Sequence, residues 1–293
     1  MTLSVAILIA CAATAVVSLF GGWLPMLIGL SHRRMQVLLS FVAGAMAGIA
    51  MLDLLPHAIE AISSEAACQS AAEPTVPQHD HSAVHSHGHD HGHDHSSMWP
   101  VQTAMLWLMA GFLAMYLLER FVCFHHHEPS TAECGHSEHG HRLSFSAAFT
   151  GLSIHAVLAG MGLGAAIVLE AAQEASWPGQ AMLLAIVLHK PLDGLAIVSL
   201  IGRDRSSPIM LWGANFAYAL VTPAGVLIAW WWMGGSGGQA WAGPVVAVTA
   251  GILLCIALCD LLPELQAHAH DRVLLTVALL VGLTVAGGAA LMH

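Results

Sequence analysis

Charge is what this sequence has least of. Only 9% of its 293 residues are Asp, Glu, Lys or Arg, against about 25% in a soluble globular domain. With 57% of residues hydrophobic, an oily interior under a polar shell is excluded. The chain reads as a polytopic membrane protein whose core forms between helices, within lipid. Cysteine is also sparse, and none of the six is spaced as CxxC. Cys11, Cys123, Cys255 and Cys259 sit in or beside apolar spans, while Cys68 and Cys134 fall in polar loops. No disulfide framework follows. Cys255 and Cys259, four apart, have ligand spacing, but buried small-residue packing explains them more simply. No basic stretch precedes the first apolar segment; its positive charges, Arg33 and Arg34, come after it. A cleaved signal peptide has the opposite order, so the segment is expected to be a retained span with its N-terminus outside.

What is present is apolar length. A bilayer core of about 30 Å needs ~20 apolar residues per helix. Eight stretches qualify, at roughly 3–30, 36–62, 99–124, 145–170, 180–202, 208–232, 244–266 and 271–292. The eight basic residues orient them. Arg33, Arg34, Arg120, Arg142, Arg203, Arg205 and Arg272 all fall on one side of an eight-span chain, and Lys190 lies inside a span. By the positive-inside rule both termini are extracytoplasmic. The tetrapeptide Asp-Leu-Leu-Pro occurs at Asp53–Pro56, near the outer end of span two, and again at Asp260–Pro263, near the inner end of span seven. An inverted repeat relating spans 1–3 to spans 6–8 predicts that placement; chance recurrence of a Leu-rich tetrapeptide is the alternative. The expected fold is an all-α integral membrane protein with eight transmembrane helices in an inverted 3+2+3 arrangement. It forms a single transporter-like domain over residues 1–293.

Two loops are rich in histidine. The outer one, residues 63–98, carries His79, His81, His85, His87, His89, His91, His93 and His95. The inner one, residues 125–144, carries His125, His126, His127, His136, His139 and His141. Interleaved Asp, Ser and Gly disfavour stable helix and leave polar, flexible segments. Imidazoles at that density bind Zn²⁺, Ni²⁺, Co²⁺ or Cu²⁺ weakly at overlapping positions. Metal capture is the reading favoured over an inert linker, because two separate tracts flank one membrane core.

Ionisable groups inside a bilayer are costly and mark ion or proton pathways. His155 opens HAVLAGMGLG in span four, and His189 opens HKPLDGLAI in span five. Asp193 lies one helical turn beyond His189, on the same face. Imidazole and carboxylate shielded from water outline a divalent-metal site. Gly160 and Gly164 let another helix approach closely, placing His155 at a helix contact instead of facing lipid. Pro191 withholds a hydrogen bond from the Val187 carbonyl, leaving a free acceptor beside the site. The competing reading pairs Asp193 with Lys190 as a structural ion pair, which leaves both histidines unexplained. Two further stripes, Asp53–His57–Glu60 and Asp260–Glu264–His268, stand at helical spacing near opposite ends of the bundle. They suit an entrance and an exit, or residues simply reaching headgroups and water. Met46, deeper in span two, reads as packing on sequence grounds alone.

These residues resemble the ZIP family of divalent-metal transporters along the whole chain. The fourth-span pattern, roughly H-[NS]-x-x-E-G-x-x-x-G, is met by His155, Gly160 and Gly164, and the fifth, roughly H-[NDK]-x-x-E-G, by His189-Lys190-Pro191-Leu192-Asp193-Gly194. Gly44, Met46, Leu54 and Leu55 resemble the second-span G-x-M…L-L-P stretch, and Thr222-Pro223-Ala224-Gly225 the sixth-span turn. The resemblance implies Met46 as a soft fourth ligand, spans 1, 4, 5 and 6 sliding as a unit against spans 2, 3, 7 and 8, and a homodimer. The chain departs from the pattern where two adjacent metals would share ligands. Ala159 stands for a bridging Glu, Ala156 for a ligand, Thr222 for a carboxylate, and Lys190 puts a cation where the second ion would sit. One transport site is therefore expected, with ligands His155, His189, Asp193 and Met46.

The expected function is uptake of Zn²⁺, or of Fe²⁺, Mn²⁺, Co²⁺, Ni²⁺ or Cd²⁺, through the cytoplasmic (inner) membrane of a bacterium. The metal is cargo, no cofactor or nucleic-acid partner is expected, and the protein is not an enzyme. An intramembrane zinc hydrolase would need an open coordination position and a general base, and no obvious base accompanies the motif. A metal exporter of the cation-diffusion type would need six spans and a soluble C-terminal domain.

Overall fold

The structure, a computed structural model, describes residues 2–21, 32–72, 99–122, 138–202, 208–234, 238–262 and 271–290. The described residues form helices and no strand. α1 is Leu3–Gly21, α2 His32–Ile49 and α3 Leu55–Ala72, the last two joined into one rod by a π-helical segment, Ala50–Leu54. α4 is Trp99–Val122, α5 Glu138–Ala172, α6 Gln180–Gly202 and α7 Pro208–Met233. A 3-10 turn, Gln239–Trp241, leads into α8, Ala242–Cys255, which continues through a second π segment, Ile256–Leu261; α9, Arg272–Ala290, follows. Among the described residues, six helical stretches are long and apolar enough to cross a membrane: Leu3–Gly21, Arg33–Ala67, Trp99–Phe121, Phe149–Ala172, Trp212–Met233 and Gln239–Cys259. Arg272–Gly288 is a shorter apolar helix, and α6 coincides with the expected fifth span.

Two boundaries differ from expectation. α3 runs on to Ala72 through an alanine-rich stretch that meets no proline before Pro74, so residues 63–72 are helix instead of loop. α5 begins at Glu138, so the backbone at His139 and His141 is helical. His79 through His95, and His125, His126, His127 and His136, lie outside the described residues.

Each Asp-Leu-Leu-Pro copy coincides with a π segment. A proline inside a helix has no N–H to donate, and its ring crowds the carbonyl four residues back. The helix loosens ahead of it. The N–H of Leu55 reaches the Ala50 carbonyl and that of Leu262 the Ala257 carbonyl, five residues back in both cases. The echo extends to packing. α8 lies against the first π segment and α2 against the second. A methyl group on Gly44 of α2 would overlap the Leu279 carbonyl of α9, and one on Gly282 would overlap the Phe41 carbonyl. Gly251 of α8 stands in the same way against the Leu108 carbonyl of α4, and Gly111 against that of Val248. In each pair the glycine sits three residues after the carbonyl its partner touches. Without a hydrophobic drive between lipid-solvated helices, such backbone-to-backbone approach is what holds them.

The helices pack as two sets. α1, α5, α6 and α7 contact one another, α5 lying mainly on α7 and α1 on both α6 and α7. The α2–α3 rod, α4, α8 and α9 form the other set, and the largest contact between sets is α5 on α8. Arg33 and Asp271, 2.9 Å apart, tie the starts of α2 and α9 at one end of the bundle. Trp241 stacks on Trp232, with ring centroids 6.1 Å apart, and meets Trp107 edge-on at 6.2 Å, joining the end of α7, the start of α8 and the first half of α4. Tryptophan clusters of this kind belong at a bilayer interface.

Candidate metal site

The site forms where α5, α6 and α7 meet. Gly160 and Gly225 face one another: a side chain on Gly160 would strike the Thr222 carbonyl, and one on Gly225 the Val157 carbonyl. Gly164 rests in turn on Val226 and Ala229. This close approach buries His155, which is 2% exposed, at a helix contact, as the glycine spacing predicts. On the other side Gly21 of α1 lies against the backbone of Pro191, so α1 supports α6 beside the expected site.

His155, His189 and Asp193 converge. One ligand atom from each lies within 4.8 Å of the others, and the two imidazole rings are 5.7 Å apart at their centroids. The His189 ring is held by Nδ1, 2.7 Å from the Ala185 carbonyl one turn back. That bond makes Nδ1 the donor, so Nε2 carries the lone pair. His189 Nε2 and His155 Nδ1 are both buried without a hydrogen-bond partner. Leaving such groups unsatisfied costs about 1–3 kcal/mol each, so the two converging imidazoles call for an occupant. Two imidazoles and a carboxylate form a donor set suited to a borderline divalent ion such as zinc.

The ion pair weighed as the alternative is also present. Lys190 Nζ lies 3.7 Å from Asp193 Oδ2, and the Tyr218 hydroxyl donates to the same oxygen at 2.9 Å. Lys190 Nζ also donates to the Tyr218 oxygen at 3.2 Å and sits 4.2 Å from the ring centroid. The pairing and the metal-like cluster therefore share Asp193. Tyr218 did not stand out in the sequence, although a tyrosine in an apolar span needs a partner for its hydroxyl.

The other expected residues are distributed as follows. Met46 is fully buried on α2. Asp53 lies in the first π segment, 2% exposed, and His57 Nδ1 is 2.8 Å from the Asp53 carbonyl and 4.0 Å from its Oδ1. Glu60, further along the same face, is exposed. Asp53 and His57 lie near enough to Glu170 of α5, not anticipated, to act on it electrostatically. It also accepts the Gly179 N–H at 2.6 Å, closing the α5–α6 turn. Its signal was a lone carboxylate at the end of an apolar span. The backbone at Asp260 lies in the second π segment, and Glu264 and His268 fall outside the described residues.

The 92-residue match to "Zinc transporter SLC39A7" of Mus musculus is 35% identical, covering 31% of this chain and 15% of that protein. "Zinc transporter ZIP9-B" of Xenopus laevis is 22% identical over 294 residues, covering 92% of this chain and 86% of the relative. "Zinc transporter 3" of Arabidopsis thaliana is 25% identical over 146 residues, 45% of this chain and 40% of that one. The chain thus spans only about 15% of the length of the mouse relative. The family described as ZIP Zinc transporter matches residues 124–293, more than half of the sequence and all of the α5–α6–α7 site. This chain belongs to the ZIP zinc transporter family.

Proposed function

We propose that this protein carries a divalent metal, zinc foremost, across a membrane through one site made by His155, His189 and Asp193, with Met46 as a soft fourth ligand. The observation that carries this reading is the convergence of three metal-ligating side chains, two of them with orphaned ring nitrogens, inside a bundle of apolar helices. Fe²⁺, Mn²⁺, Co²⁺, Ni²⁺ and Cd²⁺ suit the same donor set less selectively. A single ion is favoured over two. At about 4 Å and an effective dielectric near 20, each unit of charge product costs roughly 4 kcal/mol, so a second dication beside Lys190 would be repelled by about twice that.

The architecture proposed around the site has eight spans, both termini extracytoplasmic, and spans 1–3 related to spans 6–8 by an in-plane axis. The paired π segments and the matching glycine contacts support it. Metal enters by Asp53, His57 and Glu60 and leaves by Asp260, Glu264 and His268. The α1–α5–α6–α7 set slides past the other set as an elevator, inward, in the cytoplasmic membrane of a bacterium and in a homodimer. The division of packing into two sets supports the sliding unit. The protein is a carrier and not an enzyme.

Uptake of radioactive zinc into liposomes containing the purified full chain tests this reading; uptake no faster than in empty liposomes overturns it. Acidifying the outside is expected to raise KM, because protons and zinc compete for the same imidazole lone pairs. Uptake that accelerates on acidification points instead to proton coupling. Removing residues 79–95 is expected to raise KM several-fold with little change in maximal rate, the behaviour of a capture loop. A collapse of maximal rate shows that the loop is part of the gate.

A further inference from the structure

Tyr218 is completely buried and belongs to the third helix of the site, yet the metal-ligand reading gives it no role. Its ring is fixed by residues of α5, packing on Leu152 and Ala156 and meeting Phe149 edge-on at 6.4 Å. Its hydroxyl is used twice, donating to Asp193 Oδ2 and accepting from Lys190 Nζ. Lys190, 1% exposed, is thereby held against the ring face as well as the oxygen, a geometry in which a desolvated ammonium is stabilised by the ring quadrupole. Oδ2 of Asp193 accepts the Tyr218 hydroxyl at 2.9 Å and faces the Lys190 ammonium at 3.7 Å.

We propose that Tyr218 is the positioning residue of the metal site: it restrains the Lys190 ammonium and fixes Asp193 so that Oδ1 alone is offered to one ion. The inference rests on the single-site reading above. Its physical content is a competition. Lys190 and the metal both want the Asp193 carboxylate, and at 3.7 Å the ammonium is held just short of a close ion pair. The phenol is what holds it there. Without the hydroxyl, the ammonium loses its alternative acceptor and closes on Asp193, drawing the carboxylate away from the metal. Tyrosine therefore determines how many Asp193 oxygens the metal receives and how hard it must compete for them.

Tyr218→Phe keeps the ring and its packing and removes only the hydroxyl. In liposome uptake by the full chain, KM for zinc is expected to rise about tenfold, the scale of a lost hydrogen bond to a charged group. Maximal rate changes little. Adding Lys190→Met to Tyr218→Phe is expected to restore KM to near the wild-type value, because the competitor for Asp193 is gone. A merely structural tyrosine cannot be rescued in this way. An unchanged KM in Tyr218→Phe, or a raised KM that Lys190→Met fails to rescue, overturns the proposal. If gel filtration shows that Tyr218→Phe does not fold, Lys190→Met alone decides: KM should fall severalfold with Tyr218 intact, and an unchanged or higher KM is contrary. His189→Ala in the same preparation separates the two levels. If it retains uptake, the three-ligand reading fails, whatever Tyr218 does.

Discussion

Zinc uptake falls by more than about 100-fold in His189→Ala and in Asp193→Ala, to the leak of empty liposomes. Losing one of the three His and Asp ligands costs roughly 3 kcal/mol or more of binding, and every 1.4 kcal/mol is tenfold in occupancy. The two variants also separate the metal site from the ion pair with which it shares Asp193. Removing Asp193 strands the Lys190 ammonium in a buried position, so this variant is expected to lose folded protein as well as uptake. Removing His189 strands no charge; it takes away a ring whose Nε2 has no partner. Folded, monodisperse His189→Ala without uptake is the expected result, measured by gel filtration beside radioactive-zinc flux. Wild-type flux in that variant would mean that the buried imidazole serves packing alone.

The second large effect concerns stability. Gly44→Val and Gly251→Val are each expected to destabilise the bundle at or beyond the top of the roughly 1–3 kcal/mol range for overpacking. The obstruction in both cases is a backbone carbonyl, of Leu279 and Leu108 respectively, and backbone cannot swing aside as a side chain can. Because the two contacts correspond, the two losses in thermal midpoint should be similar. Gly213→Val is the control: beyond its own stretch of helix no atom lies within 4 Å of a Cβ added there, so its midpoint should hold. A large loss at Gly44 with none at Gly251 would break the correspondence between the two halves.

Much of this was legible in the sequence, because lipid imposes simple rules. Span positions follow from apolar length, and α6 and α7 match their expected ranges to within a residue. The helix contact at His155 was readable from Gly160 and Gly164, because small residues four apart have few other uses in an apolar helix. His189 and Asp193 were readable as neighbours because they lie on one helix, where spacing fixes the face. Their meeting with His155 rested on resemblance alone until α5 and α6 were seen together.

What sequence withheld was tertiary. Tyr218 meets Asp193 and Lys190 across 25 and 28 residues, and no periodicity within α7 announces that partner. The bond of Glu170 to the Gly179 N–H depends on a turn with a positive φ of 77° that only the backbone path reveals. The repeated Asp-Leu-Leu-Pro was visible as letters. The placement of its two copies pointed to an inverted repeat; that both also loosen the helix into a π turn follows from proline chemistry.

The most direct test is anomalous diffraction at the zinc edge from crystals of the full chain grown with Zn²⁺. One peak within the membrane-embedded helices is expected, about 2.0–2.2 Å from His155, His189 and Asp193. Two adjacent peaks beside Lys190, or a peak elsewhere among the spans with these three side chains unliganded, would contradict a single dication held between α5 and α6.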